Sequence, residues 1–249
     1  MYTSTHVDKQ SKTMENKIIL FTNIKGGVGK TTLCSIFATY AAQQGIPVIV
    51  LDADIQQSLF RHRERDIREW KKIKEEEQRA QGIKDPVEYE PKIPWKIQSV
   101  STSDDEMVET LMQRIKAIPG WVIVDCPGNI NDHALKYIYQ AADVAVVPYG
   151  FDTDTLDATT LFCSIFQRVS KAKFAFIPNN IIVSDERRDS VKVQREKSVE
   201  VLGNLGLVTH TIKHAVAVKI YNTLAPLDYW QEKVVKHALD PVLDYIKGL

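Results

Sequence analysis

Cysteine is scarce: the 249-residue chain carries three, Cys34, Cys126 and Cys163, with no C-x-x-C spacing. An odd, scattered set excludes a disulfide scaffold and a thiolate zinc knuckle, and it suits a reducing cytosol. Net charge is lacking too, since Lys plus Arg and Asp plus Glu both number 32. No whole-molecule field attracts nucleic acid, so a basic surface has to be local. No apolar run reaches the length of about 18 residues that a bilayer demands. The first sixteen residues are polar without an apolar stretch, so no secretory signal is expected. What the sequence does have is core-forming material, with 44% apolar and 26% charged residues. At this length that composition excludes general disorder and fits one intracellular globular domain behind a disordered polar tail over residues 1–15.

Strand-like and helix-like stretches alternate from residue 17. Strands are expected at Lys17–Asn23, Val48–Asp52, Lys96–Val100, Trp121–Asp125, Val144–Pro148, Phe174–Pro178 and Leu207–Ile212. Several are continuous Val/Ile runs, as expected for strands covered on both faces. Helical patterns lie between them, at Glu106–Ile118, Thr155–Ser170 and Arg188–Gly203. The reading is a single α/β domain over residues 16–249, a doubly wound, mostly parallel sheet with helices on both faces. Residues 61–94 stand apart as a charged helical insertion followed by a Pro-containing loop. Within Arg61–Lys74, seven Lys/Arg face three acids, which reads first as a solvated helix.

The informative residues are Lys25-Gly26-Gly27-Val28-Gly29-Lys30-Thr31-Thr32, between the first strand and the first helix. Glycines allow a tight turn and bring backbone N–H groups close to a polyphosphate. The helix behind them points its positive end at the same oxygens. Lys30 is placed to reach the β- and γ-phosphates, and the Thr31 hydroxyl to meet Mg²⁺. The usual G-x-x-x-x-G-K-[ST] spacing fails because Ile24 replaces its first glycine. The pattern K-G-G-x-G-K-[ST], with its additional Lys25, resembles the deviant Walker A loop of the ParA/MinD family of P-loop ATPases.

Further residues join the pattern. Alternation puts Asp52 and Asp54 on one side of the second strand's C-terminal end, where open α/β sheets bind ligands. Acids at strand ends also cap helices. The run Asp52-Ala53-Asp54-Ile55-Gln56-Gln57-Ser58 resembles the family's D-x-D-P-Q-x-S segment, with Ile55 in place of proline. Trp121–Asp125 is an apolar strand ending in a carboxylate, the form of a Walker B aspartate. Asn179 and Asn180 end a later strand; the resemblance implies that one of them meets the adenine edge, and either equally suits a turn.

The resemblance implies ATP and Mg²⁺ as cofactors and ATP hydrolysis to ADP and phosphate with weak intrinsic turnover. It implies that Lys25 crosses a homodimer interface to the partner's nucleotide, as an arginine finger would. It also implies that Asp54 positions the attacking water, that Asp52 and Asp125 support Mg²⁺ with Thr31, and that Gln56 fixes the loop. The absent paired cysteines set aside metal-scaffold and nitrogenase-like members, and the acidic, Pro241-interrupted segment 228–249 sets aside a basic membrane helix. A helix-turn-helix extension before the loop is not expected. A short ParA-like partition ATPase remains, one that binds DNA non-specifically in its ATP state and is stimulated by a partner protein. It is expected in the cytoplasm, on the nucleoid when DNA-bound. Candidate DNA contacts are Arg61, Arg63, Arg65, Arg68, Lys71 and Lys72; other basic groups are Arg187, Arg188, Lys192, Arg195 and Lys197, and Lys213–Lys219. Two alternatives are a MinD-like positioning or conjugation-associated ATPase, and a dethiobiotin-synthetase-like ligase, for which no substrate pocket is legible.

Overall fold

The computed structural model describes residues 15–129 and 132–249. Except for Glu15, the expected polar tail lies outside the described residues. Seven strands form one all-parallel sheet in the order β3-β2-β4-β1-β5-β6-β7. They are β1 (Lys17–Phe21), β2 (Val48–Asp52), β3 (Lys96–Ser99), β4 (Trp121–Asp125), β5 (Val144–Tyr149), β6 (Lys173–Pro178) and β7 (Gly206–Val208). The helices between them are α1 (Lys30–Gln43), α2 (Ser58–Ala80), α3 (Asp105–Ile115), α4 (Leu135–Ala141), α5 (Thr153–Phe166) and α6 (Asp189–Gly203). Two more, α7 (Val216–Lys219) and α8 (Tyr229–Lys247), follow β7.

The continuous apolar strands are explained by two cores, one on each face of the sheet. Along β1, Ile19 and Phe21 face α1, α7 and α8, while Ile18 and Leu20 face α3 to α6. A strand's period of two splits one apolar run between the layers. Because α1 follows β1 on one face and α5 follows the neighbouring β5 on the other, a crevice opens between β1 and β5 at their C-terminal ends. Open α/β sheets bind ligands at such a reversal.

Three expectations are corrected. Residues 61–94 are not an insertion: α2 is the crossover between β2 and β3. Its first turns are anchored by Leu59, Arg63 and Asp66, and its outer turns are solvated. The loop behind it is strapped to the helix. The Gln78 amide exchanges two 2.8 Å bonds with the Val87 backbone, and Lys71 meets Glu88 and Glu90 at 2.7 Å. The strand expected over 207–212 shrinks to Gly206–Val208, where the chain becomes the edge of the sheet.

Pro241 does not interrupt the last segment but lies inside α8. A proline inside a helix costs about 3 kcal/mol. Against that, Val235, Ala238, Leu239, Val242, Leu243 and Ile246 are all buried, and the larger of these side chains contribute about 2 kcal/mol each. Asp228 and Gln231 add a capping box, so packing outweighs the lost backbone bond.

Candidate functional site

The loop joining β1 to α1 is held open by two buried asparagines. Asn23 donates through Nδ2 to Pro148 O and Thr159 Oγ1, both at 2.9 Å, and accepts the Lys25 N–H at 3.1 Å. Asn179, from the end of β6, donates to Val28 O at 2.8 Å. Between these clamps Gly27 and Gly29 take φ values of 76° and 90°, where a Cβ is disfavoured. Gly29 is also the N-cap of α1 and brings no side-chain cap, and the first turn holds no acid. The helix's leading N–H groups therefore face the loop unneutralised, which favours an anion there. A Cβ on Gly29 would lie 2.4 Å from Asn179 Nδ2. Gly29→Ala is expected to cost about 2 kcal/mol, lowering Tm by about 4–8 °C, with nucleotide affinity falling as the Asn179 clamp shifts. Thermal denaturation and titration calorimetry measure both.

The remaining groups converge on this loop because the register aligns Phe21, Asp125 and Asp52 across β1, β4 and β2. The Lys30 Nζ lies within the loop, 3.4 Å from Lys25 O. Burial lowers its pKa, opposed by the charge of Asp125. Asp125 is 1% exposed, and neither of its carboxylate oxygens has a hydrogen-bond partner. Burial pushes its pKa up to about 8; nearby Thr31 and Lys30 oppose that shift, and Asp52 and Asp54 add to it. Two orphaned oxygens in a buried carboxyl are costly unless something charged arrives to meet them. Among the described residues no three His, Cys, Asp or Glu gather as a metal cluster. Mg²⁺, which keeps much of its water and takes one or two carboxylates plus phosphate oxygens, needs no such cluster. Thr31 and Asp125 therefore fit it.

The crevice beside the loop has a volume of about 450 Å³ and is lined by Lys25, Gly26, Gly27, Asp152, Asn180 and Asp185, among others. Lys25 is half-buried along it. Although burial raises the Asp152 pKa, bonds from the Thr155 hydroxyl and N–H, helped by Lys25, hold that carboxyl below its usual range. On the other side of the loop Asp54 starts an Asx turn, accepting the Gln56 N–H at 2.8 Å, and Ile55 projects 90% exposed.

A family model described as the CobQ/CobB/MinD/ParA nucleotide binding domain matches residues 19–222. The chain belongs to this family. A sequence search of curated proteins gives no match. Solved structures of the CobQ/MinD/ParA family share its fold. A plasmid partition protein of Borrelia burgdorferi B31 bound to AMPPNP is 18% identical with TM-score 0.68, over 93% of this chain and 99% of that one. A McdA variant of Cyanothece in complex with ATP is 15% identical with TM-score 0.69, over 95% and 97%. The MinC:MinD complex of Aquifex aeolicus is 19% identical with TM-score 0.66, over 93% and 96%. At these identities the likeness carries the fold alone.

Within this CobQ/MinD/ParA fold, Lys25 to Thr32, Asp54, Asp125 and Asn180 come together at the C-terminal end of the sheet. Three expectations change. Asp52, expected in the Mg²⁺ shell, is fully buried and accepts backbone N–H groups of Asp54 at 3.2 Å, Leu59 at 3.0 Å and Phe60 at 2.9 Å. It caps α2, whose own N-cap Gln57 supplies no side-chain bond; the carboxylate left for a metal is Asp125. Asn179 clamps the phosphate loop, which leaves Asn180 as the asparagine open to a base. Arg63 is 3% exposed. Its guanidinium donates to Thr223 Oγ1, Trp95 O and Thr223 O at 2.8–3.0 Å and stacks 3.9 Å over the Trp95 ring. It cannot contact DNA from there, and Lys71 is held by Glu88 and Glu90. Sequence reasoning missed Asn23. The signal was an amide at a strand end directly before the loop, where a buried side chain must find partners.

Proposed function

We propose that this chain is an ATP-hydrolysing, Mg²⁺-dependent partition ATPase. ATP drives its homodimerisation, the dimer binds duplex DNA without sequence preference, and a partner protein on the cargo stimulates hydrolysis. The observation that carries the reading is the pair of lysines on one clamped loop, Lys30 turned inward and Lys25 along the mouth of the crevice. Lys30, the α1 N-terminus and the loop N–H groups bind the triphosphate. Thr31 and Asp125 would hold Mg²⁺, which would supply charge neutralisation at the phosphates. Asp54 orients the attacking water, and Lys25 reaches the phosphates of the twin protomer, where a cation stabilises developing charge. Binding across the interface makes ATP a ligand of the dimer, so ATP favours association by linkage.

The DNA surface is a stripe on α2. Arg61, Arg65, Arg68 and Lys72 follow i, i+4, i+7 and i+11 spacing, which at about 100° per residue puts them on one face. All four are exposed, and the three arginines make no ion pair among the described residues. The stripe runs about 16 Å along the helix axis. A neutral monomer thus carries a local cation row that dimerisation doubles. Such a protein works in the cytoplasm and on the nucleoid. The MinD-like membrane alternative gains little from α8, whose apolar face from Val235 to Ile246 is buried in the core and leaves only Tyr229 and Trp230 at its start exposed, and no described helix is long and apolar enough to cross a membrane.

Duplex binding measured against salt with ATP and with ADP tests the reading. ATP-dependent binding with a steep salt slope is expected; no binding, or a flat slope, refutes the DNA role. Reversing Arg61, Arg65 and Arg68 to Glu together is expected to flatten the log–log slope by about 3 per protomer, at about 0.9 per phosphate contact, with ATP affinity intact.

A further inference from the structure

Just beyond β6 the chain turns sharply. Asn180 takes a left-handed backbone with φ 60°, a conformation that asparagine adopts more readily than other non-glycine residues, and its surroundings fix it there. A segment from beyond β7 does so. Ile212 N–H donates to Pro178 O at 2.8 Å, Ile181 N–H to Ile212 O at 3.3 Å and His214 N–H to Ile181 O at 2.9 Å. Ile181 and Lys213 form an isolated parallel bridge. This pairing sets His214 beside Asn180, with Nδ1 2.7 Å from Asn180 Oδ1. In that contact the imidazole carries its proton on Nδ1 and the amide oxygen accepts. The Asn180 Nδ2 group has no acceptor among the described residues, and Asn180 lines the crevice together with Asp185.

We propose that His214 is a positioning residue for base recognition. By occupying the Asn180 oxygen it fixes the amide so that the crevice offers an N–H donor alongside the carboxylate acceptor of Asp185. A donor beside an acceptor complements adenine, whose N7 accepts and whose N6 amino group donates. Guanine presents two acceptors on the same edge, O6 and N7. Without His214 the amide is free to flip and show its oxygen instead, which removes the discrimination. Asp185 keeps a loose ion pair with Arg188, at 3.5 Å. The proposal rests on the reading of the crevice as an ATP site, and it adds the device that selects the base.

Calorimetric titration of the full chain with ATP, GTP and inorganic tripolyphosphate tests it, using the wild type, His214→Ala and His214→Asn. The wild type is expected to prefer ATP. His214→Ala is expected to lose about fivefold in ATP affinity and a similar factor in the ATP/GTP ratio, the effect of one hydrogen bond, while tripolyphosphate affinity is unchanged. His214→Asn, whose amide nitrogen stands where Nδ1 stood, restores the ratio. An unaltered ATP/GTP ratio in His214→Ala overturns the proposal, as does an equal loss for tripolyphosphate. Failure of the wild type to bind either ATP or tripolyphosphate overturns the reading of the crevice itself, and the proposal with it.

Discussion

Lys30→Ala is expected to lower ATP affinity by about three orders of magnitude while leaving the fold intact. The loss is large because Lys30 is a partly desolvated cation aimed into a loop of N–H donors. Truncating one partner of a buried charge pair costs about 2–5 kcal/mol, and each 1.4 kcal/mol is about tenfold. The fold survives because Lys30 is not needed to hold a buried charge. Burial pushes the Asp125 pKa up to about 8, favouring its neutral form, and burial likewise disfavours the lysine's own charge, so removing the lysine leaves little uncompensated charge behind. Thermal melting separates the two effects: an unchanged Tm without nucleotide, and no upward shift when ATP is added. Wild-type ATP affinity in this variant would remove the phosphate site from the loop.

Lys25→Ala is expected to do the opposite in kind. Its backbone N–H, bonded to Asn23, survives substitution, so the loop keeps its shape and ATP still binds within about twofold. What disappears is the cation delivered to the twin protomer. Removing a donor that stabilises transition-state charge costs about a hundredfold to a thousandfold in rate, and stimulated hydrolysis is expected to fall by that factor. ATP-dependent dimerisation falls with it, read by light scattering with ATP and Mg²⁺. A Lys25→Ala protein that still dimerises and hydrolyses like the wild type would confine Lys25 to its own subunit's surface.

Much of the site was legible because its chemistry is local in sequence. Lys25 to Thr32 needs eight consecutive residues, and Asp125 sits at the end of an apolar strand. The parallel register then does the rest by aligning Asp125 with Phe21. What stayed hidden depends on distant partners. Arg63 reads as one cation among seven in Arg61–Lys74, yet its partners Trp95 and Thr223 lie 32 and 160 residues away. Its burial closes a network in which Asp66 accepts the Thr223 N–H at 2.7 Å. Asp52 reads as a metal ligand before it reads as a helix cap, and only the fold of α2 onto the end of β2 decides for the cap. Asn179 and Asn180 are adjacent and chemically identical, but one turns toward Val28 and the other toward His214. Pro241 misleads because a helix-breaking residue costs less than the core face of α8 contributes.

A mixing experiment asks most directly whether one subunit completes the other's phosphate site. Lys30→Ala keeps Lys25 but cannot hold ATP; Lys25→Ala holds ATP but has no cation to lend. Each alone is expected to be inactive in an ATPase assay. Combined, they form a heterodimer in which the Lys30→Ala protomer supplies Lys25 to the nucleotide on its partner, and hydrolysis returns. A mixture that associates by light scattering yet hydrolyses no more ATP than its separate components would contradict the shared site.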